Sequence, residues 1–199
     1  MNIKRKKQEY YFKRNLILDA AKKIFFEKGF DLATIDDIAS EANYSKGSIY
    51  SYFRSKNEIC FTIVNIHYEN ILNLFREINK QNISGIDKLI QIKDQFIKNY
   101  ADSVDFCKIF DSFRHHKKQC MEAKEEILKN ESFNSEIYQI LYEMILEGIE
   151  DGSIKKSIDA EKLAKAFWND ENSFIAEFRY IGKNSYDYLY NLIIESIKN

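Results

Sequence analysis

The chain has no proline and only six glycines among its 199 residues. These are the residues that stop helices and build tight turns, so their scarcity argues against a multi-stranded sandwich or barrel and for an all-helical fold. Cys60, Cys107 and Cys120 are odd in number and widely spaced, without a CxxC pair. That pattern fits reduced thiols in an intracellular protein better than a disulfide framework. No uncharged apolar run approaches the ~18 residues that cross a bilayer. The basic opening Lys4-Arg5-Lys6-Lys7 leads into Gln8, Glu9, Lys13 and Arg14, where a signal peptide would need an apolar stretch. A cytoplasmic protein with no membrane partner is expected. Histidines number three. His116 and Cys120 stand at i and i+4 with His115 beside them, but Lys117 and Lys118 follow, and too few ligands remain for a metal site. With no phosphate-binding loop and no assembled nucleophile, base and orienter, no catalytic residue and no cofactor are assigned. An all-helical enzyme is the remote alternative.

An excess of one charge is also lacking, since 30 Lys and Arg face 31 Asp and Glu. The near-neutral total hides an asymmetry. Residues 1–58 hold twelve Lys/Arg and eight acids, a balance of +4, and the remainder carries −5. A basic head therefore precedes an acidic body. In the head, Leu16, Ile17, Ala20, Ala21, Ile24 and Phe25 recur at helical spacing, with Gly29 placed to end that helix. Thr34, followed three residues later by Asp37, opens a second helix near Ile35, and Ser45 is the candidate N-cap of a third. Ser55-Lys56-Asn57-Glu58 is an S-x-x-E box for a fourth helix running to about Lys80. Further helices are expected near 86–100, 104–115, 120–151 (continuous or broken around Asn130 to Asn134), 159–181 and 185–198, about nine in total. Asp159 reads as an N-cap and Gly152 as a C-cap.

Residues 35–54 form a helix, a tight turn and a second helix. Ile38 and Ile49 supply the apolar contact, Ala39 is small where the helices cross, and Asn43 tolerates the left-handed backbone that the turn demands. The run Thr34-Ile35-Asp36-Asp37-Ile38-Ala39, then Ala42, then Ser45-Lys46-Gly47-Ser48-Ile49-Tyr50-Ser51-Tyr52-Phe53-Arg54-Ser55-Lys56-Asn57-Glu58, resembles the DNA-binding signature of the TetR family of bacterial transcriptional regulators. Ala21, Phe25 and Lys28-Gly29-Phe30 are similar to that family's first helix and its exit. Asn43 stands where many members have Gly, and Tyr44 where Val is common. The match spans roughly residues 14–60.

On DNA, a helix starting at Lys46 presents Lys46, Gly47, Ser48, Tyr50, Ser51 and Tyr52 to the major groove while Ile49 and Phe53 pack inward. Lys46, Ser48 and Ser51 are the base-reading candidates. Thr34, Ser45, Tyr50, Tyr52 and Lys56 suit phosphates. Lys4 to Lys7 read equally as an arm along the DNA or as a disordered solubilising tail. The resemblance implies a three-helix DNA-binding domain at 1–56 and a helical ligand-binding and dimerisation domain at 57–199. It also implies a homodimer through the last two helices on a pseudo-palindromic double-stranded operator, and a small-molecule effector. Leu163, Phe167, Phe174, Ile175, Phe178, Leu189, Leu192, Ile193 and Ile197 give those last helices ample apolar surface. Phe96, Tyr138 and the ligand candidates Tyr100, Phe106, Phe110, Phe113, Tyr142 and Trp168, with His67 on the fourth helix, suit an apolar or aromatic effector. A repressor released by that effector is expected; a helix-turn-helix regulator without an inducer is the alternative.

Overall fold

The computed structural model describes the backbone of residues 3–98, 109, 124–168 and 174–199, with side chains for 4–98, 109, 132–168 and 182–199. The fold is all-α, as the missing prolines and sparse glycines imply. Its described elements are α1 (Ile3–Leu32), α2 (Ile35–Glu41), α3 (Lys46–Tyr50), α4 (Lys56–Asn79), α5 (Gly85–Lys98), α6 (Lys124–Glu150), α7 (Ala160–Phe167) and α8 (Phe174–Ile197). Tyr100, Phe106, Phe110, Phe113, Cys107, His115, His116, Cys120 and most of the helix expected at 104–115 lie outside the described residues.

Two compact units divide these elements within α4. Residues 3–67 belong to one, and residues 68–98, 124–168 and 174–199 to the other. In the first unit, α1 buries Ile17, Leu18, Ala20, Ala21, Ile24 and Phe25 with Ile38, Ala39, Ile49, Phe53, Ile59 and Val64. Leu16 departs from the expected stripe and is 40% exposed, because it lies one residue, or about 100°, from Ile17 on the helix. Gly29 takes φ 75° and ψ 162°, a conformation essentially confined to glycine, and breaks the regular geometry of α1 there. Lys4 to Lys7 are not a disordered tail. They form the opening turns of α1, as a run of good helix formers can when no breaker intervenes. Cys60 is a free buried thiol, and burial raises its pKa.

The second unit is built around Phe75, Leu89, Ile92, Phe96, Ile137, Leu141, Met144, Ile145 and Ile154, closed by Tyr186, Tyr190, Ile194 and Ile197 from α8. Gly85 and Gly148 let α5 and α6 approach so closely that a Cβ on Gly85 would strike the backbone of Gly148 and the carbonyl of Met144. Lys88, only 2% exposed, sits at the same crossing and pairs with Glu147. A buried ammonium left without that carboxylate would be costly. Helix α6 runs unbroken through Asn130 to Asn134. Gly152 reverses the chain at φ 81°, and Asp159 Oδ1 caps α7 by accepting from Lys162 N at 3.1 Å.

The single helix expected over 159–181 is interrupted. Trp168 adopts an extended φ of −138° at the end of α7, and its ring packs edge-on against Phe75, 5.9 Å between centroids. Its indole N–H donates to Asn134 Oδ1 at 3.2 Å. Tertiary packing thus overrides a helical pattern that contains no breaker. Within α8, Gly182 interrupts the helix at φ 74°. Among the described residues, no helix is long and apolar enough to cross a membrane.

Candidate nucleic-acid interface

Each end of the helix-turn-helix is secured by its own side chains. Thr34 Oγ1 accepts from Asp37 N at 3.1 Å, and Asp37 Oδ2 accepts from Thr34 N at 2.9 Å, a closed capping box at the start of α2. Lys28 Nζ reaches the same carboxylate at 2.6 Å. Its hydrogen bond, with those from Thr34, pulls the Asp37 pKa down to about 2. The turn passes through Asn43 at φ 57°, the non-glycine positive φ among the described residues. Tyr44 N then donates to Ala39 O at 2.8 Å, which locks the exit. Ser45 caps α3, its Oγ accepting from Ser48 N at 3.2 Å.

Helix α3 turns Ile49 wholly into the core, and Phe53 follows it at 2% exposure. Lys46, Gly47, Tyr50 and Ser51 remain exposed and Ser48 half-buried. A Cβ on Gly47 would have only Ser45 Oγ within reach, at 3.9 Å. The space over its backbone is open to a partner. The regular helix ends at Tyr50, so Tyr52 lies just past the recognition helix. Ser51 Oγ donates to Gly47 O at 3.1 Å, and a hydroxyl so anchored can still accept from a base edge.

Two of the predicted contact lysines are already engaged. Lys46 Nζ pairs with Asp36 at 2.7 Å across the turn, and this bond raises its pKa. The exposed pair is weak enough to exchange for a stronger acceptor. Lys56 Nζ donates to the carbonyls of Phe30 at 2.6 Å and Ala33 at 2.8 Å and lies 4.4 Å from the Phe30 ring centroid. Burial lowers its pKa. It therefore collects the orphan carbonyls at the end of α1, a structural task the spacing of residues 55–58 did not reveal. Glu58 differs too. Ser55 Oγ caps Glu58 N at 3.1 Å as expected, but the Glu58 carboxylate returns to Arg54 N, 2.6 Å away, rather than to Ser55 N.

Sequence reasoning also missed two residues of α1. Tyr10 stands 5.0 Å from the Tyr52 ring, and Arg14 lies over Phe53 at 4.6 Å while its guanidinium reaches Thr62 Oγ1 at 3.3 Å. The available signal was their position four and eight residues ahead of the buried stripe at Leu18. Of the effector candidates, His67, Tyr142 and Trp168 lie among the described residues. His67 belongs to the first unit, where burial, helped by the charge of Lys22, lowers its imidazole to about 4 and keeps it neutral. In the second unit Tyr142 stacks on Tyr138, 6.4 Å between centroids, and Trp168 is a packed core residue. Among the described residues, no group of three His, Cys, Asp or Glu side chains is placed to hold a metal.

Residues 17–62 match the family model described as bacterial regulatory proteins, tetR family. Over these residues the chain carries the DNA-binding domain of the TetR family. It is thus a DNA-binding transcriptional regulator and not an enzyme. The TetR-family match coincides with the segment from the α1 stripe through α3 into α4. The chain is 27% identical over 158 residues to the HTH-type transcriptional repressor KstR2 of Rhodococcus jostii, covering 79% of this chain and 75% of that protein. It shares its fold with the ketosteroid transcriptional regulator KstR2 of Mycobacterium tuberculosis, at a TM-score of 0.73 and 17% identity over 94% of this chain and 95% of the other. FadR from Bacillus subtilis, solved in complex with stearoyl-CoA, aligns at a TM-score of 0.66 and 18% identity over 90% and 95%.

Proposed function

We propose that this regulator is a cytoplasmic homodimeric repressor that binds a pseudo-palindromic operator and leaves it when a small, largely apolar effector is bound. Residues 1–56 are assigned to DNA binding and 57–199 to effector binding and dimerisation. The observation carrying the DNA part is α3 itself, whose Ile49 is sealed in the core while Lys46, Gly47 and Ser51 stand exposed over an unobstructed backbone. Lys46, Ser48 and Ser51 read bases; Thr34, Ser45, Tyr50, Tyr52 and Lys56 serve phosphates.

Dimerisation is supported by α8. Its Tyr186, Tyr190, Ile194 and Ile197 are buried, yet Tyr188, Leu189 and Leu192 are 64%, 39% and 49% exposed. A second apolar stripe on one helix fits a self-complementary two-fold interface. The effector class is supported by the aromatic body and by the names of its relatives, a ketosteroid regulator and a regulator crystallised with stearoyl-CoA. Helix α4 supplies residues to both units, so its displacement is the route by which effector occupancy reaches the head.

The test is fluorescence anisotropy on a duplex selected by the chain from random sequence, titrated with stearoyl-CoA and with a ketosteroid. A 5- to 150-fold loss of affinity, about 1–3 kcal/mol of coupling, is the expected scale. Unchanged affinity with every apolar probe would favour the regulator without an inducer.

A further inference from the structure

Helix α1 is thirty residues long, and its core-facing stripe continues beyond the core. Counting back from Ala21 by three or four residues gives Ile17, Arg14, Tyr10 and then Lys7 and Lys6, all on one side at about 100° per residue. Ile17 is fully buried. Arg14 is half-buried over Phe53, and Tyr10 rests on Tyr52 while still 43% exposed. Lys6 and Lys7 are exposed. The side that packs the core thus passes, residue by residue, from apolar to aromatic to cationic.

Charge is concentrated on the same turns. Residues 3–14 hold Lys4, Arg5, Lys6, Lys7, Lys13 and Arg14 against the single acid Glu9. Glu9 pairs with Lys13 at 2.7 Å and also feels the charge of Arg5, so a single acid stands among six cations. Lys7 Nζ is 5.9 Å from the Tyr11 ring, which favours one orientation of that ammonium. The contact between Tyr10 and Tyr52 joins this cationic face directly to the residues that end the recognition segment.

We infer that the first three turns of α1 are a rigid second DNA contact, in which Lys6 and Lys7 bind phosphates flanking the major-groove site while Tyr10 fixes the helix against Tyr52. The occupant is duplex DNA, because the face is continuous with the candidate DNA-binding surface and its charge is complementary to a phosphate backbone. The contact is sequence-independent, since lysines on phosphates carry no base information. An ordered helix also avoids the ordering cost that a disordered arm incurs on binding. The inference rests on the DNA-binding reading of α3.

The experiment measures binding of the full chain to a fluorescein-labelled 30-base-pair duplex of random sequence across a salt series. Lys6→Ala/Lys7→Ala should lower the slope of log K against log salt by about 2 units, at roughly 0.9 per lost phosphate contact. Lys22→Ala, about four turns further along α1 and paired with Asp19 at 3.2 Å, should leave the slope unchanged. Circular dichroism of each variant checks that α1 remains helical. A double variant with the wild-type slope, or a Lys22→Ala slope that falls equally, would overturn the proposal while leaving α3 binding intact. A wild-type chain that bound no duplex would overturn the DNA-binding reading and this inference together.

Discussion

Lys56 holds Phe30 in two ways at once, donating from Nζ to its carbonyl at 2.6 Å and lying 4.4 Å from its ring centroid. As a phosphate contact alone, Lys56 would matter only on DNA. Its bonds to the end of α1 give it a second consequence. Lys56→Ala should destabilise the chain by about 1.5–3 kcal/mol, the usual scale for hydrogen bonds to a charged group. Urea unfolding would show this as a lower midpoint at unchanged slope. The same variant should flatten the salt dependence of DNA binding by about one unit, equally on specific and random sequences.

Gly47 offers the opposite separation. A methyl at this position would have only Ser45 Oγ nearby, at 3.9 Å, so Gly47→Ala meets no steric obstacle in the free protein. Its helical position gains up to about 1 kcal/mol from the better propensity of alanine. The variant should be as stable as the parent or slightly more so. Binding to the selected operator should fall by about tenfold or more, because the methyl fills the space where backbone and DNA approach. Thermal unfolding and anisotropy on the same preparation check both halves.

His67 should impose a pH dependence on stability. Its folded pKa, pushed down to about 4 by burial, lies below the unfolded value near 6.5. Between those values the unfolded chain binds more protons, so stability contributed by the neutral imidazole is complete above pH ~6.5 and is lost as pH falls toward 4. The slope at its steepest is about 1.4 kcal/mol per pH unit for one proton. His67→Gln should flatten urea-derived stability over that window relative to the parent.

The exposed stripe of α8 predicts the oligomeric state. Leu189 and Leu192 are 39% and 49% exposed, and a charge at either would be desolvated in a two-fold interface. Leu189→Glu/Leu192→Glu should sediment as a monomer at micromolar concentration where the parent sediments as a dimer, with helicity preserved. A parent that is itself monomeric would remove the dimer from the account.

The head was legible because its demands are local. Thr34 and Asp37 are three residues apart, Asn43 announces a left-handed turn, and Ile38 and Ile49 mark the two inward faces. Lys56 could not be read in this way. Its carbonyl partners at Phe30 and Ala33 lie 26 and 23 residues upstream. The meeting of Gly85 with Gly148 and the pairing of Lys88 with Glu147 likewise exist only once α5 and α6 cross. At Lys4 to Lys7 the charge run left an arm along the DNA and a disordered tail equally open, whereas helix propensity and the seat offered by Tyr52 to Tyr10 favour continuation of α1. The effector residues stayed beyond reach because an aromatic that packs a core and one that lines a cavity look alike in sequence; Trp168, held by Phe75 and Asn134, illustrates the ambiguity.

Selection of duplexes from a random library by the full chain, repeated with Lys46→Ala and Ser48→Ala, tests the central claim most directly. One enriched sequence with two-fold symmetry is expected, its half-sites separated by about one helical turn or a multiple of it, with altered preference at matching positions in both half-sites for each variant. Enrichment of no sequence over random duplex, or variants that select the parent's site unchanged, would contradict it.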